Sequence, residues 1–361
     1  MHVHAHGNTP APAGRRVRAV LAAITLPLLA LTVIGLVALW PRGDTPMGSL
    51  PLGATGATLD SAVVLTIEPI GGGEEVDPYL GADVTVELRS GIGAGSVVPV
   101  QVPGEVLVNG MDVGDAITVM FTPDAMGTGS PYVFYDFDRE VPIGILLVLY
   151  LLVVVGVARW KGLAAVLGLV ASMAVTGVFV LPAIMVGTSP LLVVLVGSSA
   201  MMFLAVYLAH GISVRSTTAL LGTFAGLAIM VGLGYASIGG ANLTGAQSDS
   251  ALVLSTAFPN LGLRDVLLCG LVIAGLGALN DVTITQASAV WEIHAANPAM
   301  SKRRLWAGGM RIGRDHIAST IYTLAFAYVG SALSMLLIGS LIDRSVLDFL
   351  MAGEIAEEVV R

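Results

Sequence analysis

Apolar and polar positions alternate in one part of the chain and run on in the rest, and that change of pattern divides it. Residues 19–39 form an apolar run long enough to cross a bilayer, preceded by Arg15, Arg16 and Arg18 and closed by Trp40. The run is longer than a signal-peptide core and no small-residue cleavage site precedes Pro41, so it predicts an uncleaved first helix. Between Pro41 and Glu140 the apolar residues alternate instead. Residues 62–67, 82–88, 97–102, 116–121 and 132–137 read as strands, separated by turn-rich pieces such as Ile70-Gly71-Gly72-Gly73. Five short strands predict a small all-β domain, OB-like or SH3-like.

From Pro142 the long apolar runs return. Residues 142–158, 162–186, 190–209, 216–238, the helix through 266–279 and residues 317–339 each predict a span, which makes about seven with the first. Residues 251–258 are too few to cross and are stopped by Pro259, which predicts an interfacial or re-entrant helix. The expected fold is therefore a membrane α-helical bundle of about seven transmembrane helices plus a small extracytoplasmic β-domain. Its parts are a cytoplasmic tail at 1–18, transmembrane helix 1 at 19–40, the β-domain at 41–140, helices 2–7 at 141–340 and an acidic tail at 341–361.

Composition agrees with this division. Of 361 residues 55% are hydrophobic and 12% charged, with a mean hydropathy of +0.86; soluble domains carry about 25% charged residues. Glycine, at 44 residues, suits close helix approach, and the single cysteine, Cys269, excludes an internal disulfide. The net charge of -8 hides a segregation. Residues 41–140 hold 15 acidic side chains against 3 basic ones, whereas 11 of the 17 Lys and Arg lie in the tail and loops assigned to the inner side. Positive charge therefore sets a cytoplasmic N-terminus and an extracytoplasmic β-domain. The acidic balance argues against nucleic acid as a partner.

Candidate chemistry centres on the helix through 266–279, which continues into Asn280 and Asp281. At 100° per residue Asp281, Thr285, Ser288 and Glu292 share an arc of about 60°, one polar stripe on an oily helix. Asp281 lies about 22 Å along from Val266. A carboxylate there is expected to face protein or a water-filled cavity, since exposure to lipid costs about 2.5 to 3.5 kcal/mol. Arg311, Arg314 and Asp315 precede the last span, across a short loop containing Lys302, Arg303 and Arg304. Two roles fit the stripe. Asp281 couples a proton or ion while Arg311 and Arg314 meet an anionic substrate or headgroup, or a carboxylate at 281 or 292 neutralises Arg314 and pins two antiparallel helices. His2, His4 and His6 have a spacing open to a transition metal but belong more simply to a tail, and Glu74, Glu75 and Asp77 fit no EF-hand. No cofactor is expected.

The pieces Gly277-Ala278-Leu279-Asn280-Asp281-Val282, Gly309-Met310-Arg311-Ile312-Gly313-Arg314-Asp315 and Ala327-Tyr328-Val329-Gly330-Ser331 resemble the YibE/F family of bacterial multi-pass membrane proteins. The resemblance extends over most of the chain, including His210-Gly211 and Ala219-Leu220-Leu221-Gly222-Thr223. It implies an integral protein of the bacterial plasma membrane and brings no settled activity. Family members usually continue past the position like Glu354-Ile355-Ala356 into a further apolar helix that does not follow here, so that either the chain is truncated or this protein does without that span, and a missing helix would leave part of the polar stripe facing lipid.

Three functions follow as expectations. The first is a transporter of an unknown small-molecule or lipid substrate. The second is an envelope scaffold whose β-domain grips a partner, with strand edges open to augmentation. The third, an intramembrane aspartyl enzyme, meets Ala278 where the Gly-x-Gly-Asp pattern needs its acid, so no enzymatic activity is assigned.

Overall fold

A computed structural model of the protein describes residues 14–49, 53, 56–70, 80–127, 130–341, 345, 348 and 351–360. His2, His4 and His6, and the cluster of Glu74, Glu75 and Asp77, lie outside the described residues. Two compact units are present, Pro46–Val154 and Met1–Thr45 with Val155–Arg361.

The first unit is a five-stranded closed barrel. Its strands are β1 (Thr58–Pro69), β2 (Ala82–Leu88), β3 (Val97–Val102), β4 (Ala116–Phe121) and β5 (Tyr132–Phe137), in the order β1-β2-β3-β5-β4 with β4 returning to β1. β1 is long enough to serve two neighbours. A register shift between Val64 and Thr66 bends it, so that its first half pairs with β4 and its second with β2, both antiparallel. β3 and β5 run parallel, meeting at Gln101 and Val133. Alternation then sends every second side chain inward. Val84, Val86, Leu88, Ile117 and Val119 are fully buried, and the short helix α2 (Gly104–Val108) adds Val106 and Leu107 to their cluster. Closure leaves little free edge, β3 and β5 meeting only at the pair Gln101 and Val133.

Among the described residues the inward face of β1 carries one acid. Asp60 shares the facing of Ala62 and Val64 on β1, and its Oδ2 has no hydrogen-bond partner. Burial pushes its carboxyl above the usual carboxylate range, against a hydrogen bond with Thr58 that pulls it down. Tyr132 is raised as well, by burial first and then by the Asp60 charge. Gly91 (φ 81) turns the chain over this carboxylate, and a Cβ at 91 would run into it.

In the helical segments α1 (Arg15–Ala38), α3 (Glu140–Val175), α4 (Leu181–Met185), α5 (Pro190–His210), α6 (Val214–Gly240), α7 (Asp249–Ala257), α8 (Leu263–Ala296), α9 (Lys302–Ser331), α10 (Leu333–Leu341) and α11 (Gly353–Val360) follow. A π-helical turn, Thr176–Val180, joins α3 to α4. Within the second unit α5 is apolar all round and half buried, as befits a central helix. Small residues let its neighbours close in. Gly35 of α1 lies against Val196 of α5, and Thr32 shares a hydroxyl hydrogen bond with Ser199. α6 and α8 pack antiparallel along Gly222, Gly226 and Gly234, which face Thr283, Leu279 and the pair Leu268 and Leu271. α11 returns to this pair, with Glu357 accepting a 2.9 Å hydrogen bond from the Gly245 backbone and Ile355 buried.

Among the described residues five helical stretches are long and apolar enough to cross a membrane, and six if α9 and α10 count as one span. Several details depart from expectation, two of them in α9 and α10. Lys302, Arg303 and Arg304 are the first turn of α9 and not a loop, with Ser301 capping the Arg304 amide. The helix expected over 317–339 is not straight either, because α9 and α10 are bent by 64° across Ala332, the geometry of a broken span or a re-entrant loop.

Candidate functional site

α8 and α9 carry the predicted polar residues and meet as an antiparallel pair. Gly309 and Gly313 present no side chain to α8, so that Val290 and Gln286 come within 2.7 and 2.9 Å of where a Cβ would stand. Gln286 Nε2 donates a 2.8 Å hydrogen bond to the Gly309 carbonyl. The two helices are held by a side-chain amide on a bare backbone. Sequence reasoning missed this contact, although Gly309-Met310-Arg311-Ile312-Gly313 carries the spacing of a small-residue packing motif.

With the helices fixed in this way, Asp281 faces His316. Asp281 Oδ2 lies 3.6 Å from His316 Nε2, and Thr285 donates a 3.4 Å hydrogen bond to the other carboxylate oxygen. Asn280 is half buried, and its Oδ1 has no partner. Ser288 is half buried, and Glu292 is exposed farther along the same helix. Arg311, Arg314 and Asp315 are exposed on α9, and among the described residues no ion pair joins any of them to Asp281 or Glu292. The partner expected at Arg314 is thus His316, two positions on. The enclosure expected for Asp281 is also absent: its side chain is 71% exposed and that of His316 28%. The pair is a carboxylate and an imidazole at ion-pair distance but beyond hydrogen-bond reach, and His316 Nε2 has no hydrogen-bond partner.

Away from this pair, on the face α8 turns to α6, opens a cavity of about 560 Å³. Ala219 and Gly222 of α6, Val282 and Val290 of α8 and Leu305 of α9 give it apolar walls. Arg215, Trp291 and His294 lie towards one end. The polar side chains along its length are already engaged. Thr283 bonds the Thr223 hydroxyl at 2.6 Å and its own Leu279 carbonyl at 2.8 Å, Thr218 bonds the Val214 carbonyl, and Gln286 holds Gly309. None of the polar stripe named from α8 lines this cavity, because it lies on another side of the helix. Among the described residues no group of three His, Cys, Asp or Glu side chains is placed to hold a metal ion.

Long apolar helices packed through glycine and hydroxyl contacts, with apolar side chains left facing outward, define a multi-pass membrane protein. The model of the YibE/F-like protein family matches residues 146–361, and the chain belongs to that family. No curated protein and no solved structure matches it.

Proposed function

We propose that this protein is a translocator of the bacterial plasma membrane in which Asp281 and His316 form the coupling pair. The observation that carries this reading is the 3.6 Å carboxylate–imidazole approach between two helices already pinned by Gln286 and the α9 glycines. A pair needed only to hold α8 to α9 would duplicate that contact. A pair that gains and loses a proton adds something the packing does not.

The reading includes seven spans, a cytoplasmic N-terminus and an extracytoplasmic barrel of the OB type. Glu140–Met185, at 46 residues, would extend about 69 Å as one helix, more than twice the roughly 30 Å of a bilayer core. Its backbone leaves helical geometry at Arg159 (φ 55, ψ -133), beside Trp160 and Lys161, which supports two spans meeting at the cytoplasmic face. The strand order and the α2 helix between β3 and β4 support the OB type. No enzymatic step is assigned.

The test compares lipids and small metabolites inside and outside cells lacking the protein, complemented by wild type, Asp281→Asn or His316→Gln. Both variants are expected at near wild-type abundance, since neither removes a contact that holds the helices, and neither should restore the wild-type distribution. Full complementation by Asp281→Asn, or identical profiles in every strain, removes the coupling role.

A further inference from the structure

The cavity between α6, α8 and the start of α9 has the length, lining and charge of a lipid site. We propose that it holds one acyl chain of an anionic lipid of the inner leaflet, with the phosphate headgroup between Arg215 and His294. This rests on the sidedness proposed above, which places the Arg215 end of α6 at the cytoplasmic face.

Length is the first argument. The groove follows α8 from Val282 to His294, twelve residue steps or about 18 Å, and one leaflet of hydrocarbon is about 15 Å thick. Lining is the second. Thr218, Thr283 and Gln286 are the polar side chains along the walls, and each already has a hydrogen-bond partner within the protein. The walls therefore offer an incoming chain van der Waals surface and little else.

Charge is the third argument and selects the headgroup. Arg215 and His294 both line the cavity, no acidic residue does, and among the described residues neither is in an ion pair. Trp291, one turn before His294, belongs to the residue type that sits at the headgroup boundary. A zwitterionic headgroup would bring its own cation to this cluster and lose the attraction. An anionic one gains about five-fold in occupancy for each basic side chain it meets.

Trp291 supplies the probe. Full-length protein with Trp40, Trp160 and Trp306 replaced by Phe is placed in nanodiscs of brominated-chain phosphatidylcholine or brominated-chain phosphatidylglycerol diluted in unlabelled lipid. The fluorescence of Trp291 should be quenched preferentially by the anionic lipid, at least about five-fold in apparent affinity. Arg215→Glu should abolish that preference, and Ala287→Phe, which fills the groove, should reduce quenching by both lipids. If the charge reversal does not accumulate, Arg215→Gln reads the same loss, and native mass spectrometry of the wild type reports the retained lipid. Equal quenching by both lipids, unaffected at Arg215, would mean ordinary boundary lipid and overturn the proposal. Relief of the preference by millimolar inorganic phosphate would overturn it too, by assigning the cations to a free anion. An anionic preference in a protein whose Asp281→Asn form complements fully leaves the lipid site standing and removes the coupling reading. Absence of the preference alongside failed complementation does the reverse.

Discussion

The barrel and the helical unit solve opposite packing problems with similar side chains. In the barrel apolar residues point inward, and Leu88 has no exposed surface. In α6 the apolar residues Ile229 and Leu233 point outward, 64% and 65% exposed, while the adjacent Gly234 is buried against Leu268 and Leu271. Water makes burial of volume favourable in the first case. Lipid tails are as apolar as leucine, so in the second case close approach of backbones replaces it. The barrel should therefore fail when side chains are cut down, and the helices when they are built up.

Truncation gives the largest contrast. Leu88→Ala should cost the barrel about 2 to 5 kcal/mol, whereas Leu233→Ala should leave the helical unit within about 0.5 kcal/mol of wild type. Limited proteolysis of the full chain across a temperature series, with fragments assigned to each unit, separates the two. Equal losses would mean that α6 buries Leu233 in a contact with another chain.

Enlargement should reverse the order. A Cβ at Gly234 already comes within 2.9 Å of Leu268 Cδ1, so Gly234→Leu is expected to cost about 1 to 3 kcal/mol and to lower the melting temperature of the helical unit alone. Gly277 on α8 has nothing within 4 Å of such a Cβ and serves as the control. Gly277→Leu should be neutral or slightly stabilising, because leucine is the better helix former. Similar losses at 234 and 277 would remove close backbone approach as the basis of the α6 and α8 contact.

The same contrast explains what could be read from the chain alone. β2 to β5 occupy the residues expected from alternation, because the inside of a barrel imposes period two on each strand. β1 extends from Thr58 to Pro69 beyond the expected 62–67, and its early part was hidden because the inward residue there is Asp60. For the helices hydropathy finds the long apolar stretches, among the described residues five or six against the seven spans expected, but the first half of α9, with its basic residues, gives no such signal. The stripe of Asp281 and Thr285 follows from helix geometry within one element. His316 as its partner does not, nor does the groove ending at Arg215 and His294, since each depends on how one helix slides against another. Glycine positions set that register, and a glycine's packing partner is not written beside it.

Asp60 tests the smallest effect and the hardest inference. An inward carboxylate with an unpartnered oxygen is destabilising when charged, and its raised pKa means that the folded barrel binds this proton more tightly than the unfolded chain. Stability from this group is therefore complete below the ordinary carboxylate range, falls as the pH rises through it towards the folded value, and stays reduced above that. Asp60→Asn keeps the shape and the Thr58 contact without the charge. It should stabilise the barrel by about 1 kcal/mol at neutral pH, near the lower end of what an unsatisfied buried polar group costs. The gain should shrink towards zero at acid pH, where the wild-type carboxyl is itself protonated. Melting of the two proteins across pH 3 to 7, compared as a difference so that other titrations cancel, reads this directly. A destabilised Asp60→Asn at neutral pH, with the loss vanishing in acid, would mean that the charged carboxylate has a favourable partner in solution and that the interior of this barrel is polar by design.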